Sequence, residues 1–282
     1  MTAPEDRLHL DESDFRRVRS MLAPHVFAFS EGDDPPVSDL VEKGIWDHLV
    51  HLPDDVALRT TNWIGRTVGQ VHAVSMQWLS ATPVTPEGAP YAPEPAFLAA
   101  EEFEALEFAA LHGYYRQALG CLRNALETMT HAAAFAATSN EGGFAKWRKG
   151  EIEPTFGGSR NTIRTSAIGR EISTRLGDGP VFGKADDGGW LAILYRRLCA
   201  YAHAQAGYNN ADFWQSNGPV YRPNTYGLVF DELRETIAVG YVLLRICWSE
   251  FELPDDLSIL LDEPALTNWP AVARQVLGAA FA

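Results

Sequence analysis

Over most of the chain, apolar residues recur three and four positions apart, the period of a helix that buries one face, and the strict alternation of a half-buried strand is nearly absent. Leu40, Ile45 and Leu49 mark one such stripe over 37–50, and Trp63, Ile64, Val68, Val71, Val74 and Trp78 a second over 54–80. Pro53 lies between them and lacks the amide hydrogen that helix continuation needs. The stretch 82–95, TPVTPEGAPYAPEP, holds five prolines and predicts an extended connector. A long helix is predicted next, over 97–137, with Phe103, Leu106, Ala110, Tyr114, Leu122, Leu126 and Met129 facing the core and Gly113 and Gly120 as weak points. Residues 138–161 read as loop, apart from a turn near Lys146, and a helix over 162–176 is stopped by Gly177. A further helix is predicted over 225–252, ended by Pro254, with short helices at 11–21 and 271–280. The expectation is an all-α protein with N-terminal helices in 1–81 packing on a helical bundle at 96–252, followed by tail helices in 253–282.

Composition narrows the class. The 282 residues are 46% apolar and include eight Trp and fourteen Phe, which excludes an intrinsically disordered chain. No apolar run is long enough to span a bilayer, so no membrane association is expected. The first residues, MTAPEDRLHL, lack a basic start followed by an apolar block, and a cytoplasmic location is the expectation. Cys121, Cys199 and Cys247 are widely spaced, form no C-x-x-C pair and are expected as reduced, buried small hydrophobes. A net charge of −14 opposes unspecific attraction to nucleic acid. Between Lys146 and Lys184, however, eight basic residues face four acidic ones, leaving −18 for the rest of the chain. That window reads either as a solvated face or as a phosphate-facing patch, with Arg160 and Arg164 its candidates next to the glycines of GGSR, 157–160.

Two polar constellations stand out from the helical background. In 191–207, LAILYRRLCAYAHAQAG, a permanently charged guanidinium and an imidazole fall within one helical pattern. Arg196 and His203 are seven residues apart and share a face of a regular helix, whereas Arg197 falls with Trp190, Leu194 and Tyr201 on a stripe that reads as buried. In 112–129, HGYYRQALGCLRNALETM, Arg123 and Glu127 are four apart among leucines, predicting a partly buried pair whose charges find partners elsewhere in the fold, the 191–207 helix being the expected one.

The pattern Tyr114-x(5)-Gly120-x-x-Arg123-x-x-x-Glu127, followed by Arg197-Leu-Cys-Ala-Tyr-Ala-His203, resembles the HEPN superfamily of helical bundles over about 97–250. The stretch from Arg197 through WQSNGPVY is similar to a bacterial group of HEPN-like proteins. The resemblance implies an up-and-down bundle that pairs as a two-fold homodimer with the Arg/His segments of two subunits facing each other. Nuclease members of the superfamily cleave RNA without metal or cofactor. On that implication His203 is the acid/base, Arg197 or Arg196 the phosphate clamp, and Arg123 with Glu127 the supporting pair, with RNA or a nucleotide as ligand in a stress or defence setting. A positioned acid or base is worth about 10² to 10⁴ in rate. Nuclease members place a polar residue after the motif arginine; Leu198 follows Arg197, and only the Arg196 alignment has a polar successor. The competing expectation is a non-catalytic helical dimer that binds a protein partner or a nucleotide.

The remaining candidates read as structural. His48 and His51, near Asp47, Asp54 and Asp55, show no third and fourth ligand at a recognisable spacing, and no metal site is expected. His72, His112 and His131 are lone helical histidines, and Glu101, Glu102, Glu104 and Glu107 read as acids of the first turns of the long helix. Phe213, Trp214 and Tyr221 read as a cover for one end of the bundle.

Overall fold

The computed structural model describes residues 49, 51–82, 88–176, 181–183, 189–202, 218–251, 253 and 276–277. All the regular structure among them is helical, so the all-α class holds, in eight helices: α1 Leu52–Ala81, α2 Pro93–Leu111, α3 Tyr115–Ala137, α4 Glu141–Arg148, α5 Phe156–Thr165, α6 Ala167–Arg175, α7 Gly189–Ala202 and α8 Pro223–Cys247. The predicted helices at 11–21, at 37–50 and at 271–280 lie wholly or almost wholly outside the described residues.

The helix starts follow local chemistry. Pro53 sits in the first turn of α1, where its missing amide costs nothing, and Asp54 and Asp55 complement the positive end of the helix. Asn140, Thr155 and Ser166 cap α4, α5 and α6 by accepting from Gly143 N at 2.9 Å, Gly158 N at 3.2 Å and Gly169 N at 3.1 Å. Pro93 and Pro223 open α2 and α8 in the same manner as Pro53.

Several predicted boundaries are corrected. The continuous helix at 97–137 is instead two helices, α2 and α3, joined by His112–Tyr114. Gly113 adopts φ +80°, where a side chain is strained, and an added Cβ would lie 2.3 Å from the Val220 carbonyl oxygen. The break is thus set by a backbone brought in from a hundred residues away. The loop expected over 138–161 holds α4 and the start of α5, because Phe144 buries against Tyr91, with ring centroids 5.1 Å apart, and Phe156 against Tyr195. The helix expected over 162–176 is interrupted at Ser166, whose extended backbone ends α5 and caps α6. The last described helix closes at Cys247, well before Pro254.

Helix α3 lies at the centre, packing against α2, α5, α7 and α8. Helices α1 and α2 run antiparallel: Trp78 Nε1, late in α1, donates to the Ala96 carbonyl at 2.9 Å, while His72 Nδ1 lies 2.9 Å from Glu107 Oε2 late in α2. Trp78 is fully buried, edge-on to Phe103 and stacked on Tyr241 at 5.4 Å. Gly240 gives α8 room to approach that indole; a Cβ there would meet the ring at 2.8 Å.

Candidate functional site

Two faces of α7 carry the polar chemistry. Residues 195 and 199 are one turn apart and face α3, while residue 197 falls about 200° around the helix from residue 195 and faces α8. Leu191, Leu194 and Leu198 fill the buried stripe between, which fixes the rotation of the helix.

On the α3 side, Arg123 and Glu127 are joined at 3.1 Å and are each about a quarter exposed. Arg123 Nη2 also donates to Tyr195 Oη at 3.2 Å, and Arg123 Nε donates to Cys199 Sγ at 3.3 Å. The Tyr195 hydroxyl in turn donates to Glu127 Oε1 at 3.1 Å, closing a ring of charge-assisted hydrogen bonds. Burial works against the Arg123 charge, yet the bonds to Tyr195 and Cys199 and the Glu127 carboxylate together raise its pKa. Burial pushes the Tyr195 phenol up to about 12, with the Glu127 charge adding and Arg123 opposing, so the phenol keeps its proton and remains a donor. Phe156 stacks on the Tyr195 ring at 3.5 Å and 6°, holding it in place from α5. Cys199, expected as an inert core residue, is instead half-buried and a hydrogen-bond acceptor.

His131, read as a lone helical histidine, belongs to the same region. Its Nδ1 lies 2.8 Å from Ser159 Oγ, and its Nε2 is 3.9 Å from Glu127 Oε1, beyond hydrogen-bond reach. Burial lowers the His131 pKa, partly offset by Glu127, which keeps the ring neutral. A hydroxyl, an imidazole and a carboxylate in this order have the composition of a nucleophile relay. Ser159 and His131 are 5% and 6% exposed, so the pair serves as a tie between α5 and α3.

The α8 side holds Arg197. Its Nη2 donates to Glu232 Oε2 at 2.7 Å and to Glu235 Oε2, and its Nε lies 2.6 Å from Glu232 Oε1 as a charge contact rather than an aligned hydrogen bond. Glu232 is 3% exposed; burial raises its pKa and Arg197 opposes that shift. Burial likewise disfavours the Arg197 charge, and the two glutamates more than compensate, raising its pKa. An anion brought to this guanidinium would meet two carboxylates already seated on it.

Arg196 is exposed on α7. His203 and Phe213 with Trp214 lie outside the described residues, as do His48 and Asp47. The structure therefore brings Arg123 and Glu127 to the predicted partner helix, but through Tyr195 and Cys199, while Arg197 turns away to α8. Arg160 and Arg164 are half-buried on α5, with Arg164 Nη2 donating to Asn161 Oδ1 at 2.8 Å; the Nε–H groups of both arginines are shielded from solvent and donate to no hydrogen-bond acceptor among the described residues. Comparison with protein-family models, with curated proteins and with solved structures finds no match to this chain.

One further expectation is corrected. Because α2 begins at Pro93, Glu101, Glu102, Glu104 and Glu107 lie in its middle and end rather than its first turn. Glu102 Oε1 accepts from Asn124 Nδ2 at 3.3 Å and Glu107 pairs with His72, so these two tie helices together. Sequence reasoning missed Tyr195, Ser159, Glu232 and Glu235, since none carries a local signal; each is recognised only by a partner 28 or more positions away.

Proposed function

We propose that the chain is a HEPN-like, homodimeric, cytoplasmic helical protein that works as a non-catalytic binding module. The observation that supports this reading is the engagement of Arg197 by Glu232 and Glu235. A phosphate clamp must present its donors to an incoming anion, and this guanidinium directs Nη2 to Glu232 and Glu235 and sets Nε against Glu232, so an anion would have to displace two carboxylates, one of them buried. The ring formed by Arg123, Glu127, Tyr195 and Cys199 is likewise internally satisfied, which suits an element that holds α7 on α3.

The second reading is the metal-independent endoribonuclease, with His203 as acid/base and Arg196 as clamp. The exposure of Arg196 and its polar successor Arg197 favour it. Incubation of the full chain with mixed RNA in EDTA separates the two, with His203→Ala and Arg196→Ala beside the wild type. The module reading expects RNA to survive equally in all three; cleavage by the wild type that both substitutions abolish overturns it and establishes the nuclease.

A further inference from the structure

The solvent face of α2 is not an ordinary polar surface. Phe97 and Phe108 are 52% and 65% exposed, and Leu98 is exposed beside them. Glu101 and Glu104 are exposed between the two phenylalanines. Phe97, Glu101, Glu104 and Phe108 are spaced by four, three and four residues, which puts them on one face of a helix over about 16 Å. Met76 and Leu79 of α1 are also exposed, in the turn that carries Trp78 to the start of α2. Single exposed apolar residues are ordinary; three large ones along the solvent side of one helix, with carboxylates between them, have the composition of a recognition surface.

We propose that this face of α2 docks a basic amphipathic helix of a partner protein, whose apolar stripe covers Phe97, Leu98 and Phe108 and whose lysines or arginines meet Glu101 and Glu104. Charge decides between occupants. A second copy docked through this face would set the same two glutamates against themselves, whereas a basic helix neutralises them. About three turns of partner helix cover the stripe, a size that fits helix-in-groove recognition through residues spaced three and four apart. The inference rests on the binding-module reading above and gives it a partner class. None of its residues belongs to the α3/α7 ring or to the Arg197 site.

The test uses the full chain and two fluorescein-labelled probe peptides of equal positive charge and about 14 residues each, long enough for four helical turns. One is an amphipathic leucine/lysine helix, and the other replaces the leucines by serine. Fluorescence anisotropy is read for the wild type, for Phe97→Ser with Phe108→Ser, and for Glu101→Lys with Glu104→Lys. The expected result is saturable binding of the leucine/lysine helix, at least about tenfold weaker binding of the serine/lysine peptide, and about a tenfold loss or more in each double variant. All positions are exposed, and an unchanged far-ultraviolet circular dichroism melt identifies folded variants. Equal affinity for both peptides, or equal affinity of wild type and variants, overturns the proposal, as does absence of binding. A wild-type dimer that Phe97→Ser with Phe108→Ser splits in sedimentation assigns the face to a second copy and overturns it too. RNA cleavage in EDTA with intact peptide binding would remove only the non-catalytic reading, so the two failures are distinguishable.

Discussion

Replacing Arg197 by methionine tests the reading of its site as structural. The substitution keeps an unbranched chain out to about the Nε position and removes the one cation that, among the described residues, pairs with Glu232, which is 3% exposed. Removing one partner of a buried ion pair costs about 3–5 kcal/mol, because the survivor is left charged away from water. Arg197 itself is 29% exposed, and Glu235 is 17% exposed, so solvent relieves part of this and the lower end, about 3 kcal/mol, is expected. The pH dependence carries the signature. Burial already holds the Glu232 pKa above its ordinary value, and loss of Arg197 raises it further. A group with a raised folded pKa binds more protons folded than unfolded, so stability is regained as pH falls. The deficit of Arg197→Met relative to wild type therefore shrinks between neutral pH and about pH 5. Adding Glu232→Gln should restore more than half of the loss at pH 7. Urea unfolding followed by circular dichroism measures all three. A loss below about 1 kcal/mol, the size of a surface pair, or a deficit that grows with acidification, would show that Arg197 does not hold Glu232 as a buried ion pair.

Gly240→Ala places a methyl group 2.8 Å from the Trp78 ring in a fully buried contact, and a loss of about 1–3 kcal/mol in thermal or urea unfolding is expected. His131 is held neutral by burial, so its folded pKa lies below the ordinary histidine value of about 6.5. The unfolded chain then binds more protons in the window below that value, and stability falls with acidification. His131→Gln should flatten the stability-against-pH curve there by up to about 1.4 kcal/mol per pH unit relative to wild type; parallel curves would show that His131 does not carry the effect.

The helical class was legible because burial of one face writes its period directly into residues such as Val71, Val74 and Trp78, all of them buried in α1. Boundaries were legible only in part: Pro53 does sit in the first turn of α1, but His51 before it is already in the right-handed helical region and its side chain makes no capping hydrogen bond. They were hidden where a distant group sets them: Gly113 reads as a weak point in a long helix until the Val220 backbone is seen against it. Helix α4 has two glycines in eight residues and little intrinsic propensity, and is held by burial of Phe144, which no local rule reveals. The i to i+4 pairing of Arg123 and Glu127 was visible in the sequence because it is local. The partners that settle the chemistry of α7 were not. Tyr195 is 68 positions from Glu127, and Arg197 is 35 from Glu232.

In a non-catalytic module the Arg197 guanidinium is already engaged by its own protein. The most direct measurement is its side-chain Nε–Hε resonance in ¹⁵N-labelled protein, assigned by its disappearance in Arg197→Lys, and followed while a single-stranded oligoribonucleotide or inorganic phosphate is added. The expected result is a resonance that neither titrant moves, and that shifts only when Glu232→Gln removes its buried partner. A saturable shift on adding either anion to the wild type would contradict the account and return Arg197 to the role of a clamp.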